Sequence, residues 1–345
     1  MPKRTAARPS VVTTSWPASH QASREREAPC VAWGLFLFLP PLAMNTPQPS
    51  PARRDDPGLS VTALYTAEVW RWGRLPGAEL LRAPEGPWVF RITNGVLALA
   101  RLFIWGMGSL RHSLLHRHLI FDHLAGELEP TQVFELAAGL SRRGVHLSAD
   151  PSLRYVEVDL PPVLERKRAL LEASPEGRAA LARENLSLVE GDLAALDLAG
   201  ALAPEATRRP GETLVIAEGL FMYLEATAQR ALWSRVRELL EATGGGVFAF
   251  DLVPGPEEPK GGPIGRLLAW LMGRFTGGRG FARDARTRAD LVAELKAQGF
   301  DQVQPLTPAQ VAHPWCLPFP RRRTRQVIFC CALRPGALPA SLPMS

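Results

Sequence analysis

The sequence predicts an α/β protein: a doubly wound, seven-stranded, mostly parallel sheet, with a helical region before it and a helical insertion within it. Three observations carry this. From residue 130 onward, short β-rich runs alternate with helical ones, the pattern of a parallel sheet covered on both faces. The helical runs begin at capping residues or prolines and stop at glycines. Several β-rich runs end in acids, and the carboxyl edge of such a sheet is where ligands bind.

Ten of the 32 prolines fall in the first 57 residues, so residues 1–59 read as a poorly ordered extension. Within it, VAWGLFLFLPPLAM (31–44) is shorter than the roughly 20 residues of a membrane span. Glu25 and Glu27 before it argue against a signal peptide. A start at Met44, with 1–43 as upstream sequence, accounts for the same pattern. Residues 60–128 read as a helical N-terminal region: an amphipathic stretch from Tyr65 to Trp72, then FRITNGVLALARLFIWGMG. Arg91 and Arg101 would each cost about 2.5–3.5 kcal/mol at a bilayer centre, so that second helix is expected to be buried against a larger domain.

The domain proper is expected at 129–335, with strands at 132–136, 154–159, 186–190, 213–217, 246–252, about 300–304 and 326–333. Pro161-Pro162 can open a helix at its first turn. Leu232, Val236, Leu239 and Leu240 make one apolar stripe that Gly244-Gly245-Gly246 ends. Thr287 and Asp290 form a capping pattern, and Gly299 stops that helix. Residues 253–284 break the alternation with PGPEEPKGGP and IGRLLAWLMGRF, read as a substrate lid, a membrane-surface helix being the competing reading. Residues 336–345 form a tail.

Composition excludes several classes. With 46% hydrophobic residues the chain is neither disordered nor a disulfide scaffold. Forty Lys+Arg against 34 Asp+Glu give +6, but the densest basic run, Arg321, Arg322, Arg323 and Arg325, has no aromatic interleaving, so no nucleic-acid role is expected. Cys30, Cys316, Cys330 and Cys331 contain no C-x-x-C pair, and a reduced, cytoplasmic protein is expected. The histidines lack zinc spacing, so no metal is expected, and His112 with His116 reads as a surface pair.

The first strand runs into VFELAAGLSRRG (133–144). A dinucleotide fingerprint needs three glycines here, and Ala137, Gly139 and Arg142 supply one. What remains is a turn that lets backbone approach a ligand at Gly139, with Glu135 before it. In YVEVDLPP, alternation puts Glu157 and Asp159 on one face. Asp159, at the strand tip about 20 residues past the turn, suits two ribose hydroxyls. Asp192 in EGDL and Glu218 in AEGLFMYL end the next two strands. Acids on successive tips beside a glycine turn fit a cationic or hydroxyl-rich ligand lacking phosphate.

In that order and spacing, VFELAAGLSRRG, YVEVDLP, EGDL and LVIAEGLFMYL resemble the leucine carboxyl methyltransferase family of class I S-adenosylmethionine-dependent methyltransferases. The likeness spans about residues 60–334 and is strongest to the bacterial branch of polyketide-type O-methyltransferases. It implies a Rossmann-like fold and S-adenosyl-L-methionine as cofactor. By that resemblance Ala137 to Gly139 would lie against the methionine part, Asp159 would hold the ribose, and Asp192 with Leu193 would bind adenine. Glu218 would sit near the amino group and the transfer site, and Arg117, with Arg111 as the alternative register, would take the methionine carboxylate. Tyr65 and Trp70 resemble the N-terminal lid. The family usually has glycine at position 137, so the alanine is a departure that matters if the backbone there has positive φ.

The reaction implied is methyl transfer to a carboxylate or hydroxyl oxygen of a small molecule. A carboxylate needs no base at pH 7 and a hydroxyl does. Tyr223 and His313 are the residues placed to be considered for that role, with Glu218 and Tyr223 the candidates at the transfer site. Methylation of a protein C-terminal carboxylate, or a non-catalytic, membrane-surface protein retaining the fold, are the alternatives.

Overall fold

The computed structural model describes residues 61–101, 109–203, 212–255, 284–318 and 326–334, with positions 338 and 342. The N-terminal extension, the FIWGMG stretch, nearly all of the 253–284 insertion, the Arg321–Arg325 run and nearly all of the tail lie outside the described residues, as do Cys30 and Met44.

Three helices precede the sheet. α1 (Val61–Trp72) packs on α2 (Gly86–Arg101) through the stacked rings of Tyr65 and Phe90, 5.5 Å apart, and the Tyr65 hydroxyl donates to Asn94 Oδ1 at 3.2 Å. The expectation that this second helix is buried is corrected. Trp88, Ile92, Val96 and Leu99 lie on its far side, 66%, 57%, 47% and 60% exposed. Their i, i+4 and i+3 spacing makes one apolar stripe, and α1 covers only the opposite side. α3 (Leu110–Leu128) is buried along most of its length, and His112 and His116 are 1% and 0% exposed, which corrects their reading as a surface pair.

Seven strands follow: β1 (Gln132–Leu136), β2 (Arg154–Asp159), β3 (Leu186–Glu190), β4 (Thr213–Ala217), β5 (Gly246–Leu252), β6 (Gln302–Leu306) and β7 (Val327–Leu333). Their order is β3-β2-β1-β4-β5-β7-β6, with β7 antiparallel to both neighbours and the remaining pairs parallel. Five strands lie where the sequence expects them, the sixth lies two residues later, and the seventh begins one residue later. α4 (Arg143–Leu147), α5 (Pro161–Glu172), α6 (Pro175–Leu181), α7 (Leu198–Leu202), α8 (Ala226–Thr243), α9 (Arg288–Ala297) and α10 (Pro308–Val311) connect them. Pro161 and Pro162 do open α5, Gly244 closes α8 at φ 100, and the Thr287–Asp290 capping box starts α9.

Because strand side chains alternate, each strand sends its residues to two different environments. Phe134, Leu136, Val156, Val158, Val215, Phe248, Phe250 and Phe329 join Trp233 of α8 and Leu291 and Leu295 of α9 in one apolar core. Glu135, Tyr155, Glu157 and Asp251 alternate with them and point to the opposite face, where α3, α4 and α5 bring charged partners.

Candidate active site

β1 lies at the switch point, with β2 on one side and β4 on the other, so a crevice opens at the carboxyl ends of these strands. The chain leaves β1 through Ala137, whose φ is 52. An alanine in this left-handed region costs on the order of 1–2 kcal/mol that a glycine would not. Gly139 follows at φ 54, and a Cβ built on it would meet nothing within 4 Å. This glycine faces open space, the condition for a ligand to lie against backbone. Its N–H donates to Asp159 Oδ2 at 2.6 Å, while Leu160 N–H donates to Oδ1 at 2.7 Å. A carboxylate offers about four acceptor sites, so Asp159, at the tip of β2, keeps acceptor capacity for hydroxyls. Burial raises its pKa, and the two amides act against that rise.

Glu157, two residues earlier on the same face, is fully buried and ion-paired to buried Lys167 of α5. Lys167 Nζ also donates to Ser141 O at 2.7 Å. Burial pushes the Glu157 carboxyl up to about 7 against the pull of Lys167, with Glu135 adding to the rise.

β4 leads directly into Glu218 and Gly219. Glu218 Oε1 accepts from Arg117 Nε at 2.9 Å, and Oε2 accepts from His118 Nδ1 at 2.8 Å and Arg143 Nη2 at 2.7 Å. Gly219 takes φ 72, the left-handed region that favours glycine, and a Cβ there would lie 2.9 Å from Arg117 Nη2; its N–H donates to Asp251 Oδ1 at 2.5 Å. Arg143 Nη1 pairs with Glu135, and its Nε donates to Asp122 at 2.9 Å. Arg142 pairs with Asp122 and donates through Nε to His118 Nε2 at 3.2 Å. The Tyr155 hydroxyl donates to Glu135 at 2.6 Å.

The surroundings of His118 oppose its charging: Arg142 Nε donates to its Nε2 at 3.2 Å, and Nδ1 lies 2.8 Å from Glu218 Oε2 and 2.9 Å from Arg143 Nη2, so two guanidiniums face the ring. Burial first and Arg143 second hold its pKa well below 6.5. Burial works against ionised Glu218, yet His118, Arg117 and Arg143 outweigh it and hold this carboxyl well below the usual range. With His118 neutral, the two guanidiniums carry that lowering. Arg117, likewise opposed by burial, is raised by Asp251 and Glu218. Among the described residues this cluster sets three guanidiniums (Arg117, Arg142, Arg143) against four carboxylates (Asp122, Glu135, Glu218, Asp251). It therefore carries an excess of negative charge suited to a cationic ligand.

The structure brings Arg117, Glu135 and Glu218 into one cluster and joins Gly139 to Asp159 directly. Glu135 is 2% exposed and taken up by Arg143 and Tyr155. Asp192 is exposed beyond β3, where its Oδ1 caps Ala194 N–H at 2.9 Å; Gly191 N–H donates to Asp159 O at 2.9 Å and ties that loop to β2. Leu193 packs on the apolar core and its carbonyl accepts from Arg235 at 2.6 Å. Tyr223 ends the short 3-10 turn Phe221–Tyr223 after β4 and lies near enough to Arg117 to act on its charge. His313 is exposed in the turn after α10. Trp70 of α1 stacks on His118 with ring centroids 4.3 Å apart, so the N-terminal helices reach the site; Tyr65 instead packs on α2.

Sequence reasoning did not find His118, Asp122, Arg142, Arg143, Lys167 or Asp251. Arg142 and Arg143, adjacent arginines where the turn enters α4, are 2% and 0% exposed. The available signal was Arg142 itself, which stands where close helix packing would ask for glycine.

The doubly wound sheet with its antiparallel seventh strand defines the class: a Rossmann-like fold of class I methyltransferases. Residues 76–237, which hold every candidate site residue from Arg117 to Tyr223, match the family model of the leucine carboxyl methyltransferases. The likeness expected from the motifs is thus found over that segment. A relative from Mycobacterium sp. (strain KMS) is 33% identical over 180 residues, 48% of this chain and 58% of the relative. One from Frankia alni is 34% identical over 142 residues, 41% of this chain and 48% of the relative. One from Mycolicibacterium smegmatis is 29% identical over 230 residues, 64% of this chain and 66% of the relative. All three are named, provisionally, as S-adenosyl-L-methionine-dependent methyltransferases. The chain spans rather over half the length of the first of these. Among solved structures, an O-methyltransferase family protein from Burkholderia thailandensis is similar at a TM-score of 0.44 and 14% identity, over 80% of this chain and 73% of that one. Among the described residues no helix is long and apolar enough to cross a membrane.

Proposed function

We propose that the chain is an S-adenosyl-L-methionine-dependent methyltransferase acting on a carboxylate or hydroxyl oxygen of a small molecule. The observation that carries this reading is the Arg117–Glu218 pair at the end of β4, 2.9 Å apart, in a cluster with more carboxylates than guanidiniums. An adjacent cation and anion are complementary to the carboxylate and ammonium of an amino-acid head group. The surplus negative charge complements a ligand that carries one further positive charge, as a sulfonium does. Glu218 Oε1 accepts one hydrogen bond among those found and retains a lone pair for an ammonium.

The cofactor fits the residues present. Gly139 leaves the space for it, Asp159 has acceptor capacity for ribose hydroxyls, Arg117 with Glu218 would hold the amino-acid end, and Asp192 with Leu193 would flank the base. When bound, the cofactor supplies an activated methyl group on sulfur. The work left to the protein is to hold an acceptor oxygen in line about 3 Å from that methyl and to exclude water. The Glu218 carboxylate, held by Arg117, His118 and Arg143, gives a fixed charge that needs no rearrangement. A carboxylate acceptor requires no proton transfer; for a hydroxyl, Tyr223 is the nearest candidate to the cluster.

The experiment is incubation of the purified protein with methyl-labelled S-adenosyl-L-methionine and a panel of small carboxylic acids and phenols. Label released by mild base identifies a methyl ester, and base-stable label an ether. Absence of both transfer and S-adenosylhomocysteine binding would overturn the reading.

A further inference from the structure

We propose that Lys167 and Glu157 form a clamp that holds the loop Ala137–Ser141 in its ligand-binding conformation and offsets the alanine placed at a left-handed position. The inference rests on the cofactor reading above.

A non-glycine residue at positive φ persists only where its surroundings over-determine it. Around Ala137, at φ 52, the anchors can be named. Ala138 N–H donates to Val158 O at 3.3 Å, and Gly139 N–H to Asp159 Oδ2 at 2.6 Å. The far end of the loop is held by Lys167, whose Nζ donates to Ser141 O at 2.7 Å while pairing with Glu157. Glu157 and Asp159 share one face of β2, so two carboxylates of one strand fix both halves of the loop. The exit is seated there as well. A Cβ on Gly144, the second residue of α4, would collide with Glu157 Oε1, so α4 rests directly on this carboxylate.

The choice of residues supports a positioning role. Lys167 and Glu157 are both fully buried, and an apolar pair of similar volume would serve stability at least as well as a buried ion pair. What an apolar pair lacks is a donor for Ser141 O. The charges facing Glu157 are Lys167 of α5, Glu135 of β1 with Arg143 upon it, and Asp159 on its own strand. Lys167 supplies the bond that keeps the loop shut, and it is a positioning residue that contacts no reacting atom.

The test is titration calorimetry with S-adenosylhomocysteine on wild type, Lys167→Met, Ala137→Gly and the double variant, each first shown to be folded by its circular dichroism and melting transition. Lys167→Met is expected to weaken binding on the order of tenfold. Adding Ala137→Gly to it should recover on the order of fivefold, the left-handed penalty removed, and that gain should exceed the gain from Ala137→Gly in wild type. General destabilisation would lower the melting temperature without this rescue. If Lys167→Met does not fold, Lys167→Arg, which keeps the cation and moves the donor, is expected to show the same loss and rescue. Wild-type binding with equal affinity in the folded Lys167 variant, or a loss that Ala137→Gly does not mend, overturns the clamp. No binding by wild type overturns the cofactor reading and the clamp with it.

Discussion

The two faces of the sheet are filled in opposite ways. On one, Phe221, Phe248, Phe250 and Phe329 meet Trp233 in a run of ring contacts, with Phe250 4.5 Å from Phe221 and 5.3 Å from Phe329. On the other, Glu135 of β1, Tyr155 and Glu157 of β2 and Asp251 of β5 meet Arg117, Arg143 and Lys167. Burying rings is favourable without orientation. Burying ions is favourable only when every partner is in place, and it fixes their directions. The aromatic face therefore supplies stability, and the ionic face supplies a preorganised end to the crevice.

That contrast can be broken from either side. Arg143→Met leaves Glu135, Asp122 and Glu218 without their shared counter-charge, so it is expected to cost about 3–5 kcal/mol in urea unfolding and to abolish S-adenosylhomocysteine binding in the folded fraction. A cost below about 1 kcal/mol would show that the ionic face is loosely held. Phe250→Ala should cost about 3–4 kcal/mol through the cavity it leaves. Its folded fraction should nevertheless bind within about twofold of wild type, since among the described residues the ring contacts of Phe250 are with Phe221, Trp233, Phe248 and Phe329 and not with the cluster; a larger loss would mean that the two faces are coupled.

A smaller effect sharpens the account of His118. Folding holds this ring neutral well below 6.5, while the unfolded chain takes up a proton near that value. The folded state binds fewer protons, so its stabilisation is complete above 6.5 and is lost as pH falls below it, by about 1.4 kcal/mol per unit. His118→Asn keeps a donor for Glu218 and gains no proton. Its unfolding free energy should fall less steeply than wild type between pH 6.5 and 5, and parallel curves would contradict the neutral ring.

What the sequence discloses follows the same division. Strand positions were legible because β-rich runs alternate with capped helices, and β6 moved most, Phe300 turning into the apolar core and Asp301 following it before Gln302 enters the ladder. The strand-tip acids Asp159, Asp192 and Glu218 were legible because each ends a recognisable run. The exposure of α2 was not: its stripe of Trp88, Ile92, Val96 and Leu99 has the same pattern whether or not another element covers it. Nor was the ionic face, because Arg142, Arg143 and Lys167 look like solvated helix residues until the carboxylates that bury them arrive from strands far apart in the chain. The condition at position 137 could be stated from the sequence, but only the backbone gives its φ of 52.

In the proposed function, Asp159 and the Gly139 turn form the floor of the cofactor site. Titration of Asp159→Ala with S-adenosylhomocysteine, beside wild type, tests it directly. Wild type is expected to bind at micromolar concentration and the variant about a hundredfold or more weaker, as for removal of charged hydrogen bonds to two hydroxyls, with the melting transition retained. Affinity within about threefold of wild type would contradict it.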